Sequence, residues 1–271
     1  MMRSTNEVAQ QHDRAALAGA RLSTAGTVLT LITLITLLLA PLPLTGCATT
    51  QRDDHGNGAQ FDVITEQAPD VDAEVKSQVL EPTRATVERW AAIGDSEPFE
   101  IRMSVTGSAE NERWTRSEPS TTRVFARTAT GDVILIEQTD ASDGATTRFI
   151  PPLLLAPPLL RAGQECTGTS VVQTIRGDAV DNDGGRAQRT VKLASNDRIR
   201  TPLGEFNALR FDAVFTMKVP FASMRRETST WIRPGDGPVA IRSVEKILVM
   251  GVVPRNRSET RVRLPATGVT P

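Results

Sequence analysis

The sequence predicts a mainly β fold, either a curved antiparallel meander or a half-open, clam-like β-barrel, with little helix. Three observations predict it. Apolar and polar residues alternate with period two through most of the chain beyond residue 98. Gly, Asp, Ser or Pro interrupts the alternation about every ten residues. The links are too short to hold crossover helices, so consecutive strands must be antiparallel neighbours. A chain of 271 residues with 39% apolar content can also bury a sizeable core.

Residues 1–46 read as an export signal. Arg3, Arg14 and Arg21 precede the apolar run from Val28 to Ala40, which Pro41 and Pro43 break. The run is shorter than the ~20 residues a spanning helix needs. The following Leu44-Thr45-Gly46-Cys47-Ala48 resembles the bacterial lipobox. A branched residue fills the peptidase pocket, small residues admit the backbone, and only the Cys47 thiol can carry a diacylglycerol thioether. The resemblance implies cleavage before Cys47 and a stable multi-chain lipid anchor there, palmitate among its acyl chains. Ala48 is not the Asp that retains such proteins at an inner membrane. The expected location is therefore the outer membrane, facing the periplasm. Residues 47–60 form a lipidated cysteine and a polar, Gly-containing tether. Residues 61–271 form a single β-rich domain.

Within that domain residues 70–92 are ambiguous. Val71, Val75 and Val79 have helical spacing, yet Pro82 interrupts them. Residues 99–106 alternate cleanly, and strand-like stretches recur near 112–117, 121–129, 132–138 and 145–150. The run 151–160 carries four prolines, which remove ladder donors. It is expected to be an extended cover over one end of the core rather than a central strand. Residues 168–176 and 186–194 flank the acidic, Gly-rich stretch 177–185, a hairpin signal. Leu209, Phe211, Ala213, Phe215, Met217 and Val219 share one face of a long strand, with Arg210, Asp212, Thr216 and Lys218 on the other. Strands at 225–233 and 239–250 follow.

Three segments together resemble uncharacterised periplasmic β-clam proteins known only as domains of unknown function. They are Pro151–Glu165, Thr201–Arg210 and Trp231–Val239. The resemblance implies an envelope location and a clam-shaped or half-open barrel, similar in outline to lipoprotein carriers. It brings no established activity, so it assigns no catalytic residue.

The chemistry is bounded mainly by scarcity. A net charge of −1 removes the compositional case for a nucleic-acid partner. The histidines, His12 and His55, both precede the domain, so imidazole triads, bases and zinc ligands are excluded from it. Cys166 has no imidazole partner and reads as an inert thiol. No metal or cofactor is expected. Ser243 and Lys246 have a penicillin-recognition spacing but would point to opposite strand faces. The residues singled out are Arg225, Glu227 and Glu245, which share parity with Trp231, Ile241 and Ile247. On that parity they form an inward polar cluster, with a register pairing Arg225 to Glu245.

The expected function is a non-enzymatic binding or scaffold module on a lipid-anchored envelope protein. Its partners are the membrane, through the lipid on Cys47, and an apolar small molecule or an envelope protein. The alternatives are a lipid or lipoprotein carrier and a carboxylate-based hydrolase of an envelope polymer, which needs two converging acids.

Overall fold

Strands account for nearly all of the structure, a computed structural model that describes residues 59–70, 73–77, 85–95, 97–107 and 112–266, apart from the side chains of residues 182 and 183. The expected export segment, Cys47, His12 and His55 lie outside the described residues. The strands are β1 (Asp62–Thr65), β2 (Glu74–Lys76), β3 (Thr86–Ala92), β4 (Phe99–Thr106), β5 (Arg113–Glu118), β6 (Thr121–Arg127), β7 (Val133–Asp140) and β8 (Thr146–Ala156). They continue with β9 (Leu159–Arg161), β10 (Glu165–Arg176), β11 (Ala179–Thr201), β12 (Gly204–Val219), β13 (Ala222–Arg233), β14 (Gly237–Val249) and β15 (Val253–Arg263).

β3 to β8 and β10 to β15 form an up-and-down antiparallel barrel of twelve strands. The hydrogen-bonded ladder runs right round it. The closing seam is short: Arg261, Val262 and Arg263 of β15 lie opposite Ala92, Ala91 and Trp90 of β3. Two flanking backbone bonds extend it, Ile93 N–H to Thr260 O and Leu264 N–H to Arg89 O, both 2.8 Å. The buried Arg263 side chain donates to Glu88 at 3.3 Å and to the Asp236 carbonyl at 2.8 Å, tying the seam to the β13–β14 turn.

Strand length differs around the wall. β10 to β15 are 11 to 23 residues long, and β3 to β7 only six to eight. The long strands project past the short ones at the end that carries the β12–β13 and β14–β15 turns. That rim exposes Phe221, Met250 and Val252. At the other end β2 and β9 pair as a separate two-stranded sheet that buries Val75 and Leu160 in the main core. The barrel is thus plugged at one end.

The outer wall is polar. β12 presents Arg210, Asp212, Thr216 and Lys218 outward, and β13 presents Arg225, Glu227 and Ser229. A membrane-spanning barrel faces lipid with an apolar band ~25 Å tall. These strands face water. The exception is a second core on the outside of the wall, which the N-terminal segment covers. Phe61 packs edge-on against Trp231 at 4.7 Å, over Ile199, Ala208, Ala240 and Val262. β1 occupies the edge of β11 beyond the stretch that β10 pairs with. Ala59 also packs here.

Several local expectations are refined. β8 runs through Pro151 and Pro152, against the expectation that these prolines forbid a strand. They fall in a bulge: Arg148 lies opposite Glu137 and Leu153 opposite Leu135, so the intervening residues meet a single position of β7. The missing N–H groups are not needed there. Leu153 and Ala156 then bury themselves in the core, and Pro157–Arg161 leads into the plug. The acidic stretch 177–185 is mostly strand, because β10 and β11 pair up to Arg176 and Ala179. β15 and β3 carry no apolar alternation and are visible only in the structure.

β8 crosses β10 so closely at Gly168 that a side chain has no room. A Cβ there would stand 2.7 Å from Leu154 Cβ and 2.8 Å from its carbonyl oxygen. Gly168→Val should lower stability by about 1–3 kcal/mol or more in urea melts. The adjacent exposed Thr169→Val should stay within about 0.5 kcal/mol. Equal midpoints for the two variants would show that β8 and β10 do not cross there.

Candidate functional site: the barrel lumen

The candidate site grows from the alternation of the long strands. Odd residues of β11 as far as Leu193, of β12, of β14 from Ile241 and of β15, and even residues of β13, face inward. Antiparallel register stacks them in rows across five strands. One row is Arg189, Phe215, Arg226, Glu245 and Arg257. The next row toward the plug is Val191, Ala213, Thr228, Ser243 and Glu259, and the one beyond is Leu193, Phe211, Thr230, Ile241 and Arg261. Toward the open end, Ala187, Met217, Met224, Ile247 and Arg255 follow.

The opposite wall completes the charge. Glu118 of β5 is buried, its side chain 5% exposed, and is met by three guanidiniums. Arg261 approaches at 2.7 Å, Arg123 at 2.9 Å and Arg116 at 3.2 Å. Arg261 comes from β15, so this contact joins the closing strand to β5 on the far side of the short β3–β4 hairpin. Arg261 also meets Glu259 at 2.8 Å, and Arg257 meets Glu259 at 3.3 Å. Arg226 donates through Nε to Glu245 at 2.7 Å.

The lumen encloses a cavity of about 310 Å³. On the plugged side it is lined by Phe125, Leu135, Phe149, Leu153, Phe211 and Ile232. On the open side it meets the arginine band. A wider groove of about 1060 Å³ continues outward along the same strands past Met217, Met224 and Ile247. From plug to rim the order is apolar, charged, then mixed.

Burial pushes the Glu118 carboxyl up, but the charges of Arg123, Arg116 and Arg261 outweigh it and hold the group at about 2. Burial pushes the Arg123 guanidinium below its ordinary value. Glu118 opposes that shift, while Arg116, Arg226 and Arg261 add to it. Cations thus crowd one another in the lumen. Burial also raises the Cys166 thiol, with Asp132 adding to the effect, which keeps it a poor nucleophile at neutral pH.

The structure separates the residues that the sequence grouped. Glu245 lines the lumen, but its partner is Arg226 and not Arg225. Arg225 and Glu227 pair with each other at 2.9 Å on the outer face, both about half exposed. The cause is the β12–β13 turn. Only Pro220 and Phe221 separate Val219 from Ala222, so inward parity switches from odd on β12 to even on β13. Trp231 accordingly points outward and Ile232 inward, so both are buried, on opposite sides of the wall, beside a bulge at Val239 of β14. Ser243 lines the lumen and Lys246 is exposed. The sequence missed Arg116, Glu118, Arg123, Arg257, Glu259 and Arg261. Their only signal was charge at every second position, which reads as a solvated edge. Among the described residues no cluster of His, Cys, Asp and Glu is placed to hold a metal.

No family model matches the chain, and no curated protein matches it. The chain is similar to a solved structure from Parabacteroides distasonis, described as a lipoprotein. The identity is 11%, the match covers 68% of this chain and 96% of that one, and the TM-score is 0.34. That likeness is too loose to carry a role across.

The Glu118 cluster sets a pH dependence. A carboxyl held below its unfolded value stabilises the fold above that value, and the contribution fades as pH falls through the folded one. The window here runs from about 4.5 down to about 2, with a magnitude on the order of 3 kcal/mol. Part of it offsets the cost of burying Arg123. Glu118→Gln should therefore be less stable than the parent at pH 7, and the gap should shrink as pH falls through that window. Parallel pH–stability curves would contradict the assignment.

Proposed function

We propose that this chain is a lipid-anchored envelope protein whose barrel is a non-enzymatic binding module, holding an apolar-bodied small molecule in its lumen. The cavity carries the reading. It is built into a water-facing barrel, plugged at one end and open at the other, and aromatic and aliphatic side chains line its inner half. Ligand sites are typically concave, mostly apolar and furnished with a few convergent polar groups.

The lipobox-like Leu44–Cys47 supports the anchor, and Ala48 supports outer-membrane sorting with the domain in the periplasm. The polar outer wall agrees with attachment by lipid rather than by a spanning barrel. A carboxylate-based hydrolase would need an acid kept protonated near neutral pH. Glu118 is held at the opposite extreme, and Glu245 and Glu259 are each engaged by arginine.

Native mass spectrometry of the full chain, extracted with mild detergent from its own membrane, tests both halves. The expected result is a mature chain beginning at Cys47 with a lipid adduct, plus a noncovalently bound small molecule released on activation. An unmodified Cys47 would overturn the anchor. A lipidated chain with no retained molecule, across several gentle extractions, would overturn the binding module.

A further inference from the structure

The lumen is more than greasy, and its charge is unbalanced. Six arginines line it: Arg116, Arg123, Arg189, Arg226, Arg257 and Arg261. Facing them are three carboxylates, Glu118, Glu245 and Glu259. Neither Asp nor Lys lines the cavity among the described residues. Glu118 alone accepts from Arg123 and Arg261 and pairs with Arg116 at 3.2 Å. Each guanidinium carries five N–H donors in a planar fork, so donors far exceed lumenal carboxylate acceptors. Arg116, Arg123 and Arg261 are largely buried, Arg226 is half-buried and Arg257 lies exposed toward the open side, while Arg189 donates to the Leu155 carbonyl. Guanidiniums gathered in this way favour an anionic guest.

We infer that the lumen binds a single-chain amphiphile with an acidic head, the head on the Arg226–Arg257–Arg261 band and the chain against Phe125, Leu135, Phe149, Leu153 and Phe211. The inference rests on the binding-module reading and names the chemical class of its ligand. The order of layers fixes the orientation. The apolar lobe lies at the plugged end, so the chain goes in first and the head stops at the band below the open rim. Met217, Met224 and Ile247 then stand above the head, with Arg255 opposite Ile247 in the same row. Volume fixes the number of chains. A cavity of about 310 Å³ sits at the lower end of the ~300–1,000 Å³ usual for ligand sites. The lobe below the arginine band suits one alkyl chain. Arginine forks match carboxylate and phosphate oxygens alike, so the shared chemistry is an anionic oxygen head on one chain.

The test uses the full chain in a nonionic detergent, with dodecanoate, dodecyl phosphate and dodecanol as probes. Binding is followed by calorimetry, and the dodecanoate carboxyl by carbon-13 NMR. One or both acids should bind at least tenfold more tightly than dodecanol. The bound carboxylate should stay ionised well below the pH at which the free acid protonates. Arg226→Gln should weaken the acids at least tenfold and leave dodecanol unchanged, with a melting curve to confirm folding. Should that variant not fold, the acid-against-alcohol ratio and the carboxyl titration decide alone. If dodecanol binds as tightly as both acids, or the bound carboxyl titrates normally, the binding module stands and the acidic head is wrong. If no probe binds, the acidic-amphiphile assignment and the apolar-ligand reading fall together.

Discussion

One buried carboxylate, Glu118, ties the closure of this barrel to the chemistry of its interior. Arg116 and Arg123 come from its own side of the wall, and Arg261 comes from the strand that closes the ring. The seam between β3 and β15 has only three paired positions, too few to hold two strands without help. Arg261 reaches inward from that seam to Glu118, and Arg263, two residues on and on the same face, fastens it to Glu88 and Asp236. Alternation separates these arginines from the outer core. Odd residues of β15 serve the lumen, and its even residues support the second core through Val262. Taking those arginines out of water costs free energy unless carboxylates meet them. Glu118 and Glu259 offset much of that cost, and the remaining surplus of positive charge is what gives the lumen its character.

Two cores on opposite sides of one wall explain the rest of the architecture. The inner core packs Trp114, Phe125, Leu153 and Phe211 above the plug made by β2 and β9. The outer core packs Trp231 and Ile199 beneath Phe61. A buried carboxylate also organises this second core. Asp197 accepts from Trp231 Nε1 at 2.8 Å and from Arg210 at 3.4 Å, and Arg210 continues to Glu66 in the N-terminal segment at 2.9 Å. The N-terminal segment from Ala59 is therefore docked on the plugged half of the wall, away from the open rim.

Much of this was legible in the sequence, and the failures have physical causes. β4 has the bounds that its alternation dictates, and the inward face of β12 is the apolar face of residues 209–219. The β-barrel class follows from short turns between such strands. β15 was not legible, because a strand whose inward residues are Arg255, Arg257, Glu259 and Arg261 has no apolar period to detect. The inward cluster was misassigned at β13 because parity depends on turn length, and Pro220-Phe221 carries no sequence mark of a two-residue turn. Proline content misled at β8, where a bulge removes the need for the missing donors. In each case a tertiary feature, whether lumen charge, turn length or bulge, overrode a local rule.

The account as a whole holds that ion pairing closes the barrel and leaves an arginine-rich lumen suited to an acid on an alkyl chain. A crystal structure of the protein grown with dodecanoate tests this most directly. The account predicts the carboxylate within hydrogen-bonding distance of Arg226 or Arg261, the chain running toward Phe149 and Leu153, and Glu118 still held by its three arginines. Density for the chain in the reverse orientation, or confined to the outer wall with the lumen collapsed, would contradict it.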